Sequence, residues 1–561
     1  MLGATRAALP RPTPLISSLV PVLLFAASAA FVVWRNSEVG VLVDIAWVMN
    51  NATRIALGDV PYSQFPLAQA PGTFLVQAAL IKAFGPHYAV QIAYAAVVGG
   101  LATAITYVIG RRVLEDAVPA PRSLAVVLAL PLIPLGIYAI LPNPFYDPDA
   151  CLAVLAGIAA VLAARDRPTR GRWFCAGALL SIPLLIKQNI GGAYLLGMLG
   201  VLAAEASQRP GARVDFRRLL TGLAVALGIE LLMLQLVVGV DSYVQGIWTF
   251  ALNGRGVSVD RFREFADPFV IWPGALLVLL VVLGRFVPPP RRGPLFLAGL
   301  CVLLVASIFD PALLLSVPQT FPPLLLAAGM LALWRMAREG VRFDSALPFV
   351  LGVTTLGALQ SQGLAGSSYG IFPLLVLAIV TLVRDLAFFL PLPSRLAPLV
   401  GAVLALVLVV AGTLYTVENA RLGFIDVNAP GPIVRSTFPS LAGLSARGPY
   451  VDELDAVLFW MRDHVPADES FAFVPGEEPA FFALDRRPAL PSVFLYIGDV
   501  ATPYTPAELA AFADSAGLRW VLVKDRLQLT GEPPQMQDLV ARLTDRATLV
   551  TEIGPYRVFR R

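Results

Sequence analysis

Apolar residues run along this chain in blocks of about twenty, separated by short polar breaks, and each block is long enough to cross a bilayer as a helix. A window of about 19 residues resolves about thirteen such spans. They lie near 14–34, 88–109, 123–141, 149–164, 172–186, 190–205, 219–240, 269–287, 294–309, 312–333, 345–361, 370–390 and 396–417. The first, Pro14 to Trp34, follows Arg6 and Arg11 and contains "AASAA", which offers small residues for signal cleavage. Its length exceeds the apolar core of a signal peptide, so a retained helix is expected. From Glu418 onward the pattern changes to interleaved charged and polar positions. There "VDELDAVLFWMRDHV" places Leu454, Val457, Leu458, Met461 and Val465 at helical spacing. "SFAFVPG" reads as a strand ending in a turn, "PAELAAFADSAG" as a helix closed by glycine, and "RWVLVKD" as a buried strand. The expected fold is an all-α polytopic membrane domain over 1–417, with a long first loop over 35–87, followed by a small α/β domain over 418–561.

The first loop breaks the apolar pattern most sharply. "VLVDIAWVMNNATRIALGDVPY" predicts a helix, and "GDVPYSQFPLAQAPGTFL" a stiff polar turn. Gly58 can end the first helix, Pro61 stiffens the exit, and "APG" at 70–72 starts a second helix along the membrane surface. Two interfacial helices joined by such a hairpin would form the rim of a cavity, with Tyr62, Gln64 and Gln69 lining or capping it.

Composition narrows the class. The chain has 561 residues, is 57% hydrophobic and 14% charged, and has a mean hydropathy of +0.73. A water-soluble globular protein carries about a quarter charged residues, so this is an integral membrane protein. A net charge of +4 is too small to suggest nucleic acid. Cys151, Cys175 and Cys301 all fall in apolar runs and read as buried core packing. His87 and His464 are the only histidines, and no cysteine or histidine cluster suggests a metal.

The basic residues orient the spans. Sorting the connections into two alternating sets gives twenty-one Lys and Arg in the set that begins with the N-terminus. The other set has seven: Arg35, Arg54, Lys82, Lys187, Arg255, Arg261 and Arg263. The positive-inside rule places the N-terminus in the cytoplasm. An odd number of spans then puts the 35–87 loop and the C-terminal domain outside.

Candidate chemistry therefore lies on the outer face. Asp44, flanked by apolar residues, would lose hydration there, which raises a carboxyl pKa and makes a stronger base; the alternative is a helix N-cap. In "FYDPDA", Asp147 and Asp149 stand two residues apart with Pro148 holding them extended. They could hold a divalent cation, bind sugar hydroxyls, or cap a helix beginning at Ala150. "LLIKQNIGG" sets Lys187 against the positive-inside trend, beside Gln188, Asn189 and two glycines. That group suits an anion such as a lipid phosphate, or Lys187 simply snorkels to the headgroups. Arg255, Arg261 and Arg263 suit phosphate, or pair with Asp260, Glu264 and Asp267. Glu230, an acid near the middle of a span, reads as a structural hydrogen-bonding group. The C-terminal domain shows no phosphate loop, triad or metal motif and reads as a stabilising or partner-binding lid.

Asp44, then "GDVPYSQF" and "PLAQAPGTFLVQAALIKAFG", together with "LLIKQNIGG" and the tail "VDELDAVLFWMRDHVPADESFAFVPGEEPAFFALDRRP", resemble a known group. They are similar to the bacterial polytopic glycosyltransferases of the GT-C fold, the protein O-mannosyltransferase and aminoarabinose-transferase (ArnT)-like family. The resemblance implies a transferase of the bacterial cytoplasmic membrane that builds cell-envelope glycans. It would move a sugar from a polyprenyl-phosphate donor to a lipid, glycan or protein acceptor among membrane lipids. Asp44 takes the place of the catalytic base and Lys187 that of the donor-phosphate ligand; no cofactor is indicated, with a divalent metal the open alternative. Two positions depart from the family pattern. Ile45 stands where an acid commonly follows the aspartate, and Gln64 where "PYxDF" has one. A transporter or flippase of envelope lipids is the main rival, although no internal repeat supports it. A non-catalytic assembly partner is the third reading.

Overall fold

The computed structural model describes residues 14–115, 117–253, 268–309, 317–389, 396–418, 432–496, 503–528 and 536–561. Helices dominate up to residue 418. They begin with α1 (Pro14–Asn36), α2 (Leu42–Ala56), α3 (Gly72–Phe84), α4 (Tyr88–Leu114), α5 (Pro121–Ala129) and α6 (Leu132–Leu135). Next come α7 (Tyr146–Asp166), α8 (Arg170–Ile186), α9 (Gln188–Gln208), α10 (Pro210–Val237) and α11 (Val240–Asn253). Helices Pro268–Phe286, Pro289–Phe309, Val317–Glu339, Phe343–Ser367, Phe372–Phe389 and Leu396–Glu418 follow.

Six of the described helices are long and apolar enough to cross a membrane: Leu19–Asn36, Tyr88–Leu114, Tyr146–Asp166, Gln188–Gln208, Pro210–Val237 and Leu396–Leu414. The expected span over 123–141 is not one helix. Pro131 and Pro134 each lack a backbone donor, and the chain divides into α5, the single turn of α6 and an irregular segment running to Phe145. The segment Val240–Asn253, expected as loop, is helical. The cysteines also depart from expectation: Cys151 is buried, but Cys175 and Cys301 are exposed on the outside of the helices.

Close packing between α8 and α10 shows what holds the bundle. A Cβ on Gly177 would lie 1.9 Å from Leu219 O, and one on Gly222 would lie 1.9 Å from Phe174 O. The two backbones therefore touch at both glycines, the arrangement expected where lipid supplies no hydrophobic drive and van der Waals contact must hold helices together. Farther along α10, Ile229, Leu231, Leu232, Met233 and Leu236 are all exposed. Glu230 on that helix accepts a hydrogen bond from Ser181 Oγ at 2.6 Å.

The C-terminal residues form a four-stranded sheet in the order β3 (Phe471–Val474), β4 (Trp520–Lys524), β6 (Tyr556–Arg560) and β5 (Thr548–Ile553). β3 and β4 run parallel, with Phe473 opposite Leu522; β6 is antiparallel to both β4 and β5. A short antiparallel pair, β1 (Ile433–Arg435) and β2 (Ser445–Arg447), precedes it. The expected helix is Tyr450–His464, and Leu454, Val457, Leu458, Met461 and Val465 are all buried. Every residue of β4 is buried. Helix Pro506–Ser515 starts with a capping box between Thr505 and Glu508.

This sheet unit docks on α2. Asn50 Nδ2 donates to Glu478 O at 2.9 Å and its Oδ1 accepts from Phe482 N at 3.1 Å. Arg54 Nη1 donates to Leu490 O and Pro491 O at 3.0 and 2.9 Å, while its Nε pairs with Asp59 at 2.9 Å. Arg487 approaches Asp59 from the exposed side at 3.0 Å. Arg54→Met is expected to cost about 3 kcal/mol, because it strands a buried carboxylate and two carbonyls. Arg487→Ala should cost under about 1 kcal/mol, since that guanidinium is exposed and Asp59 keeps its buried partner Arg54. Thermal unfolding in detergent checks the contrast, and equal effects would contradict this docking.

Candidate functional site

The site is organised around α2. Its N-cap is Val41 and its first helical residue is Leu42, so Asp44 lies inside the first turn and does not cap the helix. Every residue from Leu42 to Arg54 is buried except Asp44. A helix buried nearly all round must have its polar groups matched from within. Thr53 Oγ1 returns to Met49 O and Asn51 Nδ2 to Trp47 O, both at 2.8 Å. Asp44 is the exception. Among the described residues it has neither a hydrogen-bond donor nor an ion-pair partner, and its side chain stays partly accessible. Burial by the surrounding protein pushes its carboxyl up to about 7. The result is a half-buried residue whose carboxyl, without a partner among the described residues, has an affinity for protons that suits a base near neutral pH.

The hairpin between α2 and α3 is rigid for identifiable reasons. Gly58 adopts φ +99° just past the end of α2, a conformation that glycine takes without cost. Tyr62 N donates to Phe65 O at 2.8 Å, and the Arg54 guanidinium lies 4.4 Å above the Phe65 ring. Tyr62 itself has φ +65°, unusual for a residue with a side chain. It is held there by its hydroxyl, which donates to Gln69 O, and by the edge of Tyr243 on α11 at 5.3 Å. Gln64 is exposed at the tip and uses its Oε1 to accept from Val60 N at 2.5 Å.

The far end of the hairpin meets the Lys187 turn. Lys187 is the single extended residue separating α8 from α9. Gln188 staples the hairpin: its Oε1 accepts from Ala70 N at 3.1 Å and its Nε2 donates to Ala68 O at 3.2 Å. Gly72 is required here, because a Cβ would stand 2.6 Å from Leu185 O. Asn189 turns away and donates to Gly357 O at 2.7 Å. Gln69 Nε2 donates to the Tyr146 hydroxyl at 3.0 Å.

Asp147 and Asp149 differ from the sequence expectation. Pro148 does not hold them extended; α7 begins at Tyr146, and both acids sit in its first turn without capping it. Asp147 is fully buried and pairs with Lys187 Nζ at 2.7 Å. The same Nζ stands 4.4 Å over the Tyr146 ring. Asp149 accepts from Thr73 Oγ1 at 2.7 Å and Tyr138 Oη at 2.6 Å, and Tyr94 also hydrogen-bonds to it. Both carboxylates are thus spent on protein partners, and among the described residues no three His, Cys, Asp or Glu side chains converge as a metal site would require.

An aromatic wall links the two halves. Trp47, one turn beyond Asp44 on the same face of α2, meets Phe74 edge-on at 6.3 Å; Phe74 lies 6.3 Å from Tyr146, the ring beneath Lys187. Sequence reasoning missed Trp47, Phe74, Tyr138 and Tyr146 because nothing separates a wall aromatic from ordinary core in one sequence. Arg255, Arg261 and Arg263 lie outside the described residues, in the segment that follows α11.

Two outcomes follow from this geometry. Lys187→Met or Asp147→Asn alone leaves a buried charge or its partner uncompensated and should cost about 3–5 kcal/mol, whereas Lys187→Met with Asp147→Leu should recover most of that loss. Thermal unfolding of the three variants in detergent checks it. For Asp44, the folded-state value lies above the unfolded one, so stability from the protonated form is lost as pH rises from about 4 to about 7 and is level above that. Asp44→Asn should therefore gain stability over that interval, reaching roughly 2–4 kcal/mol at pH 8. A pH-independent difference between the two proteins would contradict the raised value.

No protein-family model matches the chain, and no curated protein does. Among solved structures, the chain is similar to ArnT from Cupriavidus metallidurans, crystallised with undecaprenyl phosphate, at 13% identity and a TM-score of 0.48, covering 96% of this chain and 97% of that one. It is also similar to the oligosaccharyltransferase of Archaeoglobus fulgidus, crystallised with zinc and sulfate, at 14% identity and a TM-score of 0.48, covering 92% of this chain and 70% of that one. Likeness at this depth leaves the chemistry to be read from the site itself.

Proposed function

We propose that this protein is a multi-pass membrane glycosyltransferase that moves a sugar from a polyprenyl-phosphate donor to an acceptor hydroxyl on the outer face of the cytoplasmic membrane. The observation that carries the reading is Asp44: a carboxyl without a partner among the described residues, raised to about 7, on the one residue not fully buried between Leu42 and Arg54. In this reading the acceptor oxygen attacks the anomeric carbon, the bond from that carbon to the phosphate oxygen breaks, and the acceptor proton passes to Asp44. Inversion at the anomeric carbon is expected from such a displacement.

The departing phosphate gains negative charge as the bond breaks, so cations fixed nearby favour the transition state over the bound donor. Lys187 is the proposed contact on the wall. Because Asp147 already balances it, the remaining charge falls in this reading to Arg255, Arg261 and Arg263. Tyr62 and Gln69 would line the sugar site, with the buried aromatics fixing α2 and α7 behind it and Gln188 and Asn189 acting through the backbone they fix. Residues 418–561 serve as the outer domain that holds α2, with the N-terminus cytoplasmic. The two departures from the family pattern fit this picture: Ile45 is packed in the core and Gln64 is spent within the hairpin tip.

The test is sugar release and transfer from a panel of polyprenyl-phosphate hexoses and pentoses by purified wild type and Asp44→Asn. The expected result is a loss of about 10²–10⁴-fold in the variant, with wild-type kcat/KM rising about tenfold per pH unit below about 7. Undiminished activity in Asp44→Asn sinks the assignment. Counterflow of a polyprenyl-phosphate sugar in proteoliposomes, without transfer, would support the transporter.

A further inference from the structure

The buried polar groups of the sheet unit converge on the first turn of α2. Lys524 Nζ stands 3.0 Å from Glu477 Oε2 and 3.3 Å from Glu478 Oε1, and all three side chains are fully buried. Tyr496 Oη donates to Glu477 Oε1 at 3.2 Å, and Tyr556 Oη to Glu478 Oε1 at 3.0 Å. Burial pushes the Glu478 carboxyl up, while the neighbouring Lys524 ammonium draws it back down. Glu477 Oε2 also accepts the backbone N–H of Gln528 at 2.9 Å.

Gln528 carries that anchorage across to α2. It is fully buried; its Oε1 accepts from Leu42 N at 2.6 Å and its Nε2 donates to Gly40 O at 3.0 Å. Helices ordinarily satisfy their first amides with a Ser, Thr, Asp or Asn side chain at the N-cap. Here the N-cap is Val41, whose side chain has no acceptor, and the acceptor comes from a residue 486 positions later in the chain. Gly40 is fixed as well, since a Cβ there would stand 2.6 Å from Ser445 O. Asp44 is two residues beyond the amide that Gln528 holds.

We propose that Gln528 is a positioning residue for Asp44: by capping α2 from the C-terminal domain, it sets where the carboxylate stands relative to the bound donor and acceptor. The proposal rests on the reading of Asp44 as the base. Among the described residues, the charged groups around α2 include Arg54 in its own last turn, Asp59 and Arg487 just past its end, Lys82 on α3, and Glu477, Glu478 and Lys524 from the sheet unit, and none of them pairs with Asp44. The carboxylate's placement therefore depends on the backbone of its own turn.

The experiment compares full-length Gln528→Ala with the double variant Gln528→Ala, Val41→Thr. Threonine has the shape of valine and, at the N-cap, its hydroxyl can accept from the amide of Val43 or Asp44, which re-anchors the same turn without Gln528. With the polyprenyl-phosphate sugar that proves active, Gln528→Ala should lower kcat by at least tenfold, leave KM within about twofold, and move the acid limb of the pH profile. Backbone hydrogen exchange at residues 42–46 should rise while that of α3 stays unchanged, and the Val41→Thr partner substitution should restore both readouts. The proposal is overturned if Gln528→Ala leaves kcat, pH profile and exchange unaltered, or if thermal stability and kcat fall together with the pH profile unmoved and no rescue. Full activity in Asp44→Asn would remove the base itself, and this proposal with it. Loss in Asp44→Asn alongside normal Gln528→Ala removes this proposal alone.

Discussion

The burial of α2 on all sides is the constraint from which the rest of the structure follows. A helix surrounded by protein can leave few polar groups unmatched, since each orphan costs about 1–3 kcal/mol. In α2 the matches come from far along the chain: Asn50 bonds the backbone of Glu478 and Phe482, Arg54 the carbonyls of Leu490 and Pro491, and Leu42 the side chain of Gln528. These bonds join the helical part and the sheet unit through one short element. Asp44 stands apart from this pattern of satisfied groups, and that contrast gives it meaning. A surface aspartate without a partner is ordinary; one inside a helix whose other polar residues are matched is held at a cost.

The same reasoning explains the hairpin. Its backbone is irregular and lies against buried surface, so its polar groups need partners, and Gln188, Arg54 and the Tyr62 hydroxyl supply them. Arg54 does this while bonding two carbonyls of the sheet unit, so hairpin geometry and domain docking share one guanidinium. Lys187 and Asp147 follow the rule for buried charge. Neither ion is stable alone in this interior, and each answers the other beneath the Tyr146 ring. The pair is close to neutral, which distinguishes it from a simple cationic patch and explains why an anion site built on it needs further positive charge.

Much of the architecture was legible along the chain. Apolar blocks of bilayer length become helices because periodicity and length are local properties, and Leu454, Val457, Leu458, Met461 and Val465 face the core as their spacing required. Gly58 and Gly72 fall where the turn needs them, one for its positive φ and one for close approach to Leu185. Local reading failed where a neighbour decides the outcome. Pro131 and Pro134 broke an apolar block that hydropathy alone treats as continuous, and Cys175 and Cys301 lie on outward faces that one sequence cannot tell from inward ones.

The sequence by itself determined the membrane-spanning character, the separate C-terminal α/β region, the break at the hairpin, and Asp44 and Lys187 as unusual charges in apolar surroundings. All of these are matters of composition and spacing within a few tens of residues. Only the tertiary structure decided that Lys187 belongs to Asp147, that Asp149 is held by hydroxyls, and that Asp44 has no partner among the described residues. It alone decided that the cap of α2 comes from Gln528. Those are pairings across tens to hundreds of residues, fixed by which surfaces meet when the chain folds, and a one-dimensional pattern carries no record of which distant group fills an unmatched bond.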